Sequence, residues 1–215
     1  MWPRRFVASS IGKKVIMAVS GLLLILFLCT HVLGNAAIFV GSHAFQAYAD
    51  ALHSLPVVVL LFGLGLLAVL LLHIGFGINL FFGNRTAGGS RYAVNARVVE
   101  SSLAARTMPY TGLLVLLFLL VHVAGFGFRP ADMKISLLVQ QYLGNFSYAV
   151  FYLFSFCALA LHLSHGFWSM LQTFGLNHPR YNDGIAKLTL VVPTFFLAFF
   201  GTITLYFMTG LGAAY

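Results

Sequence analysis

The stretch MAVSGLLLILFLCTHVLGN, Met17 to Asn35, contains no charged side chain and a single histidine, His31, close to its end. As a helix rising 1.5 Å per residue it is about 28 Å long, close to the roughly 30 Å hydrocarbon thickness of a bilayer. A polar side chain in that setting is costly unless it has a partner. About ninety residues later VHVAGFG, Val121 to Gly127, repeats the His-Val-x-Gly arrangement of His31 to Gly34.

The rest of the chain has the same character. Of 215 residues 60% are apolar and 7% charged, against roughly half and a quarter in an average soluble domain. Four acids and twelve bases cannot cover a soluble domain of this size, so the outer solvent is lipid. Cys29 and Cys157 sit singly in apolar runs, with neither a CxxC pair nor a CxxCH haem-attachment signature, and read as packing residues. Arg4, Arg5, Lys13 and Lys14 precede an apolar run as in a signal peptide. That run, Val15 to Val40, is too long for a secretory core and no A-x-A site follows, so it is expected to stay as a span.

Five runs are long enough to cross: about 15 to 40, 56 to 82, 109 to 128, 147 to 171 and 188 to 209. Pro56 and Pro109 are expected at helix starts, where a missing N–H costs least, and Pro193 in the first turns of the last span. Arg4, Arg5, Lys13, Lys14, Arg85, Arg91, Arg97, Arg106, Arg180 and Lys187 fall on one side of this topology. The other side carries only Arg129 and Lys134. The positive-inside rule then puts the N-terminus in the cytoplasm. The net charge of +8 is a cytoplasmic face for anionic lipid or a docked partner, not a nucleic-acid site. In the first external connection, Ser42 to Ser54, Phe45, Tyr48 and Leu52 recur at helical spacing, predicting a short interfacial helix that carries Gln46, Asp50 and His53.

Five of the eight histidines lie inside spans: His31, His73, His122, and both His162 and His165. Counted from polar landmarks, His31 and His122 lie in the outer half of the bilayer and His73 and His162 in the inner half. Local sequence sorts them identically. His31 and His122 have glycine three residues on, Gly34 and Gly125; His73 and His162 have it four residues on, Gly77 and Gly166. A glycine one turn along the same face leaves a flat patch where a planar macrocycle could lie against the backbone; the same glycines also serve close helix packing. Paired neutral imidazoles suit a haem iron, which takes two axial nitrogens. Zinc would need four ligands at one depth. The expectation is two b-type haems, one above the other, with His31 and His122 on the outer iron and His73 and His162 on the inner. His165, three residues from His162, competes for the inner iron and otherwise bonds a propionate or water.

These features resemble the dihaem cytochrome b subunit of succinate dehydrogenases and fumarate reductases. The resemblance runs through MAVSGLLLILFLCTHVLGN, LLHIGFGINL, LLVHVAG and, most specifically, LHLSHGFWSMLQTFGLN. It implies an all-α membrane protein, a single domain of five spans bundled around two haems, in a bacterial cytoplasmic membrane. It also implies flavoprotein and iron–sulfur partners on the cytoplasmic face, electron exchange with quinone (menaquinone expected), and a possible dimer of complexes. Ser20, Trp168 and Ser169 become candidate contacts for the inner propionates, and Gln46, Asp50 and His53 candidates for a quinone site. Some members carry a carboxylate within a span for proton movement; none appears here. Two other functions remain open: a cytochrome b subunit of nitrate reductase or formate dehydrogenase type, and a haem-free proton-coupled transporter.

Overall fold

The computed structural model describes residues 2–86, 103–128 and 133–212. Arg91, Arg97 and Arg129 of the topology argument lie outside these residues, as does the side chain of Arg85. Among the described residues the chain is helical: α1 (Trp2–Ala8), α2 (Ser10–Asn35) continued by a 3-10 turn (Ala36–Phe39), α3 (Ser42–His53), α4 (Pro56–Thr86), α5 (Leu103–Gly127), α6 (Ile135–Gly144), α7 (Phe146–Thr173) and α8 (Asn182–Met208). Five stretches are long and apolar enough to cross a membrane: Ser10–Phe39, Pro56–Gly83, Leu103–Gly127, Phe146–Thr173 and Asn182–Met208.

Local chemistry sets the boundaries. Ser9 caps α2 by accepting the Gly12 N–H at 3.0 Å while donating to the Phe6 carbonyl at 2.7 Å. Asn145 caps α7 through Oδ1, which accepts the N–H groups of Ser147 and Tyr148 at 3.1 and 3.2 Å. Pro109 is not at a helix start: α5 begins six residues earlier, at Leu103, and holds the proline in its interior. The segment LAARTM is rich in helix formers, and hydroxyls beside the proline take up main-chain acceptors. Thr107 bonds the Leu103 carbonyl at 2.9 Å and Thr111 the Met108 carbonyl at 3.0 Å, and proline in the interior is tolerated in spanning helices. Pro193 likewise sits deeper than expected, because α8 starts at Asn182.

The predicted interfacial helix is α3, with Phe45 and Ala49 buried. Helix α6 lies in a stretch read from sequence as a connection. Ten residues are too few to span, but its apolar face buries Leu138, Val139 and Leu143 against α7 and α8. Helix α7 is central, packing on α2, α5 and α8, while α4 packs chiefly along α2 and α3. The main apolar cluster joins Phe118, Tyr152, Phe156 and Leu163 to Phe196, Phe200, Ile203 and Phe207 of α8. Lys13, Lys14, Arg106 and Lys187 lie near one end of the bundle, which we call the basic end; α3 and α6 lie at the other.

The chain contains an internal repeat. Ser20 to Gly34, SGLLLILFLCTHVLG, aligns without gaps on Thr111 to Gly125, TGLLVLLFLLVHVAG, with nine of fifteen residues identical. The structure extends the correspondence. Tyr48 of α3 covers Gly34, and Tyr142 of α6 covers Gly125. The unit α2-α3-α4 thus has its counterpart in α5-α6-α7, with α8 added outside.

Candidate functional site

Each histidine pair joins equivalent residues of the two halves. The rings of His31 (α2) and His122 (α5) have centroids 5.9 Å apart with planes at 85°. Those of His73 (α4) and His162 (α7) are 6.3 Å apart at 66°. Metal–nitrogen bonds of about 2 Å, plus about 1 Å from each nitrogen to its ring centre, would set two axial imidazoles about 6 Å apart. Both pairs satisfy that separation. Among the described residues no three His, Cys, Asp or Glu side chains converge as a metal-ligand group, so the arrangement offers two ligands per level rather than a closed four-ligand site. Eleven residues separate Ser20, beside His73, from His31, placing the levels about 16 Å apart along the helix.

Hydrogen bonds reach the Nδ1 side of the rings. The Ser20 hydroxyl lies within donating distance of the Ile16 and Met17 carbonyls at 2.8 and 3.1 Å, and its oxygen lies 3.2 Å from Nδ1 of His73. A hydroxyl donating to its own helix accepts from an Nδ1–H of His73, an arrangement that leaves Nε2 free. Thr111 repeats this, donating to the Met108 carbonyl at 3.0 Å with its oxygen 3.5 Å from Nδ1 of His162. At the other level the phenol of Tyr152 lies 3.4 Å from Nδ1 of His122. Among the described residues the His31 ring has ring neighbours, Phe27 at 5.5 Å and Phe200 at 5.8 Å, but no hydrogen bond.

The pairs border one cavity of about 1960 Å³, open in part at the sides of the bundle and running from Lys14 and Arg106 at the basic end to Phe45, Tyr48 and His53 at the other. This is about twice the upper volume of a pocket for one drug-sized ligand. Gly34, Gly77 and Gly166 line it, but the flat patches expected one turn beyond the imidazoles are largely filled. A Cβ on Gly34 would fall 2.6 Å from the Tyr48 hydroxyl, one on Gly125 3.3 Å from the Tyr142 ring, and one on Gly77 3.2 Å from the Met17 methyl. The glycines that adjoin imidazoles are Gly21 and Gly112, where a Cβ would lie 3.3 and 3.2 Å from Cε1 of His73 and His162. The reason is helix crossing: His73 and His162 each meet the glycine of a neighbouring helix at their own height, Gly21 of α2 and Gly112 of α5, not the glycine of their own next turn.

The structure turns His162 rather than His165 toward His73; His165 lines the cavity with Ser169, Gln172 and Thr173 near the basic end. Ser20 sits against His73. Trp168 is half-buried and is not among the residues bordering the cavity. Gln46 and Asp50 bond to each other at 2.7 Å, and Gln46 also accepts from Ser136 of α6. Neither borders the cavity, whereas His53 does, with Nδ1 bonded to the Ala49 carbonyl at 2.7 Å. Four residues at the site were not singled out as such from sequence: Thr111, Tyr152, Lys14 and Arg106. The aligned repeat carries Thr111 onto Ser20 and was the available signal for it; Tyr152 has no counterpart signal.

Fold and site together define an all-helical protein with five helices able to cross a membrane and two histidine pairs at separate heights between them. The chain matches no family model, no curated protein and no solved structure.

Proposed function

We propose that this chain is the dihaem cytochrome b anchor of a succinate:quinone oxidoreductase, in a bacterial cytoplasmic membrane with its basic end facing the cytoplasm. The observation carrying the reading is the pair of imidazole separations, 5.9 and 6.3 Å, each close to the bis-imidazole spacing. The haems would supply one-electron exchange between iron–sulfur centres and quinone. The protein's part is to hold and insulate them. His31 with His122, and His73 with His162, would hold the irons through their ring nitrogens. Lys14 and Arg106, with His165 and Ser169 nearby, give the basic end of the cavity cations and donors suited to carboxylates. The aromatic rings around His31 and His122, Phe27, Phe118, Phe126 and Phe200, keep that level apolar. Of the three candidates for a quinone contact, His53 is the one bordering the cavity.

The basic end suits docking of flavoprotein and iron–sulfur subunits and anionic lipid. The test is purification of the complex from membranes. Two bis-histidine b-type haems per chain, with copurifying succinate-dependent dye reduction, are expected. A colourless protein, or a molybdenum-containing partner without succinate activity, would exclude this function.

A further inference from the structure

We propose that Ser20 and Thr111 are positioning residues that lock the His73–His162 pair in the Nδ1-protonated tautomer and strengthen both as donors to iron through Nε2. The inference rests on the haem reading above and concerns how that pair is tuned. Three observations converge on it. Each hydroxyl has main-chain carbonyls of its own helix within donating distance, Ile16 and Met17 for Ser20, Thr107 and Met108 for Thr111, which frees its oxygen to accept from the imidazole Nδ1 it faces at 3.2 or 3.5 Å. Each is followed by a glycine, Gly21 or Gly112, whose missing Cβ lets the imidazole edge approach the helix backbone. Each is also deeply buried, Ser20 at 4% and Thr111 at 7% exposure, where a hydrogen bond is not diluted by water.

The two halves thus build the same device from Met-x-x-Ser-Gly at Met17 to Gly21 and Met-x-x-Thr-Gly at Met108 to Gly112. The other level is built differently: the phenol of Tyr152, not a Ser-Gly or Thr-Gly pair, lies 3.4 Å from Nδ1 of His122, and the His31 ring has no hydrogen bond among the described residues. An acceptor on the far nitrogen makes an imidazole a more basic ligand, which favours ferric over ferrous iron. The serine and threonine therefore hold the potential of the His73–His162 centre down relative to the same pair without them, and they do nothing comparable for the His31–His122 centre.

The experiment is a redox titration of the intact purified complex, followed by its visible spectrum, in wild type, Ser20→Ala, Thr111→Val and the double variant. One midpoint, the one lost in His73→Ala, should rise by a tenfold weaker preference for ferric iron, about 59 mV for a one-electron couple, while the other stays in place. Thr111→Ser keeps the oxygen and should keep the wild-type value, separating the hydrogen bond from packing. If Ser20→Ala loses that haem outright, Ser20→Thr, the residue of the other half, should recover it. Two haems with midpoints unmoved in every variant, or moved as far by Thr111→Ser as by Thr111→Val, would overturn the assignment. A wild-type complex without haem would instead overturn the functional reading, which is a different result.

Discussion

A histidine whose ring proton is committed on one side has its other nitrogen free for a metal, and the pairing of His31 with His122 and His73 with His162 makes the consequence level-specific. Replacing His31 or His122 by alanine is expected to remove one haem and spare the other, with His73→Ala and His162→Ala removing the opposite one. Haem per chain and the reduced visible spectrum measure this; loss of the same haem from His31→Ala and His73→Ala would break the pairing. His165→Ala should keep both, since His165 is not the ring turned toward His73. Glycines divide in the same way. At Gly112 a Cβ already comes within 3.2 Å of His162, whereas at Gly65 it meets nothing within 4 Å. Gly112→Val should therefore displace the imidazole and cost the His73–His162 haem. Gly65→Ala should retain both haems and stabilise α4 by up to about 1 kcal/mol, the difference in helix propensity. Thermal unfolding monitored alongside the haem spectrum reads both effects.

At the scale of the helices, α3 and α6 are tied by one side chain. Helix α6 starts at Lys134, which offers no side-chain cap, and Gln46 of α3 supplies one from outside. Its Oε1 accepts the Ser136 N–H at 3.2 Å and the Ser136 hydroxyl at 3.3 Å. Gln46→Ala would leave buried donors at Ser136, only 5% exposed, without a partner. It should lower stability by about 1–3 kcal/mol without changing haem content, so a thermal shift with an unchanged spectrum is the expected signature. That role was not legible in the sequence, where Gln46 stood out only as a polar residue beside a possible quinone site. The long spans were legible because lipid demands some twenty apolar residues whatever the packing. Helix α6 was passed over, although Ile135, Leu138, Val139 and Tyr142 recur at helical spacing, because ten residues are too few to span and its burial against α7 and α8 is a tertiary fact. Pro109 misled for a different reason: proline marks a boundary in water, but spanning helices can hold one in their interior, as α5 does. The imidazole pairs could be sorted by depth from residue counts alone and Thr111 reached through the repeat that aligns it with Ser20, whereas Tyr152 could be connected to His122 only once the crossing of α5 and α7 was known.

Across the whole molecule, equivalent helices α2 and α5 present equivalent histidines to each other, as do α4 and α7. A pair built from equivalent residues straddles the axis that exchanges the two halves, so both pairs stand on one line through the bundle. Repeats that run parallel in this way are related by an axis along the membrane normal, and then the loop-side helices α3 and α6 must both emerge on one face and the basic segments on the other. The charges agree among the described residues: Arg4, Arg5, Lys13, Lys14, Arg106, Arg180 and Lys187 gather at one end and Lys134 at the other. The positive-inside rule makes the first group the one expected in the cytoplasm. Single cysteines placed at His43, in the first turn of α3, and at His178, between α7 and α8, test this in a background lacking Cys29 and Cys157. A membrane-impermeant maleimide added to intact cells, or to spheroplasts if there is an outer membrane, should label His43→Cys at once and His178→Cys only after lysis. The opposite pattern would invert the molecule. The His31–His122 pair would then stand on the cytoplasmic side, and the basic end would lose its claim on cytoplasmic flavoprotein and iron–sulfur partners even with both haems in place.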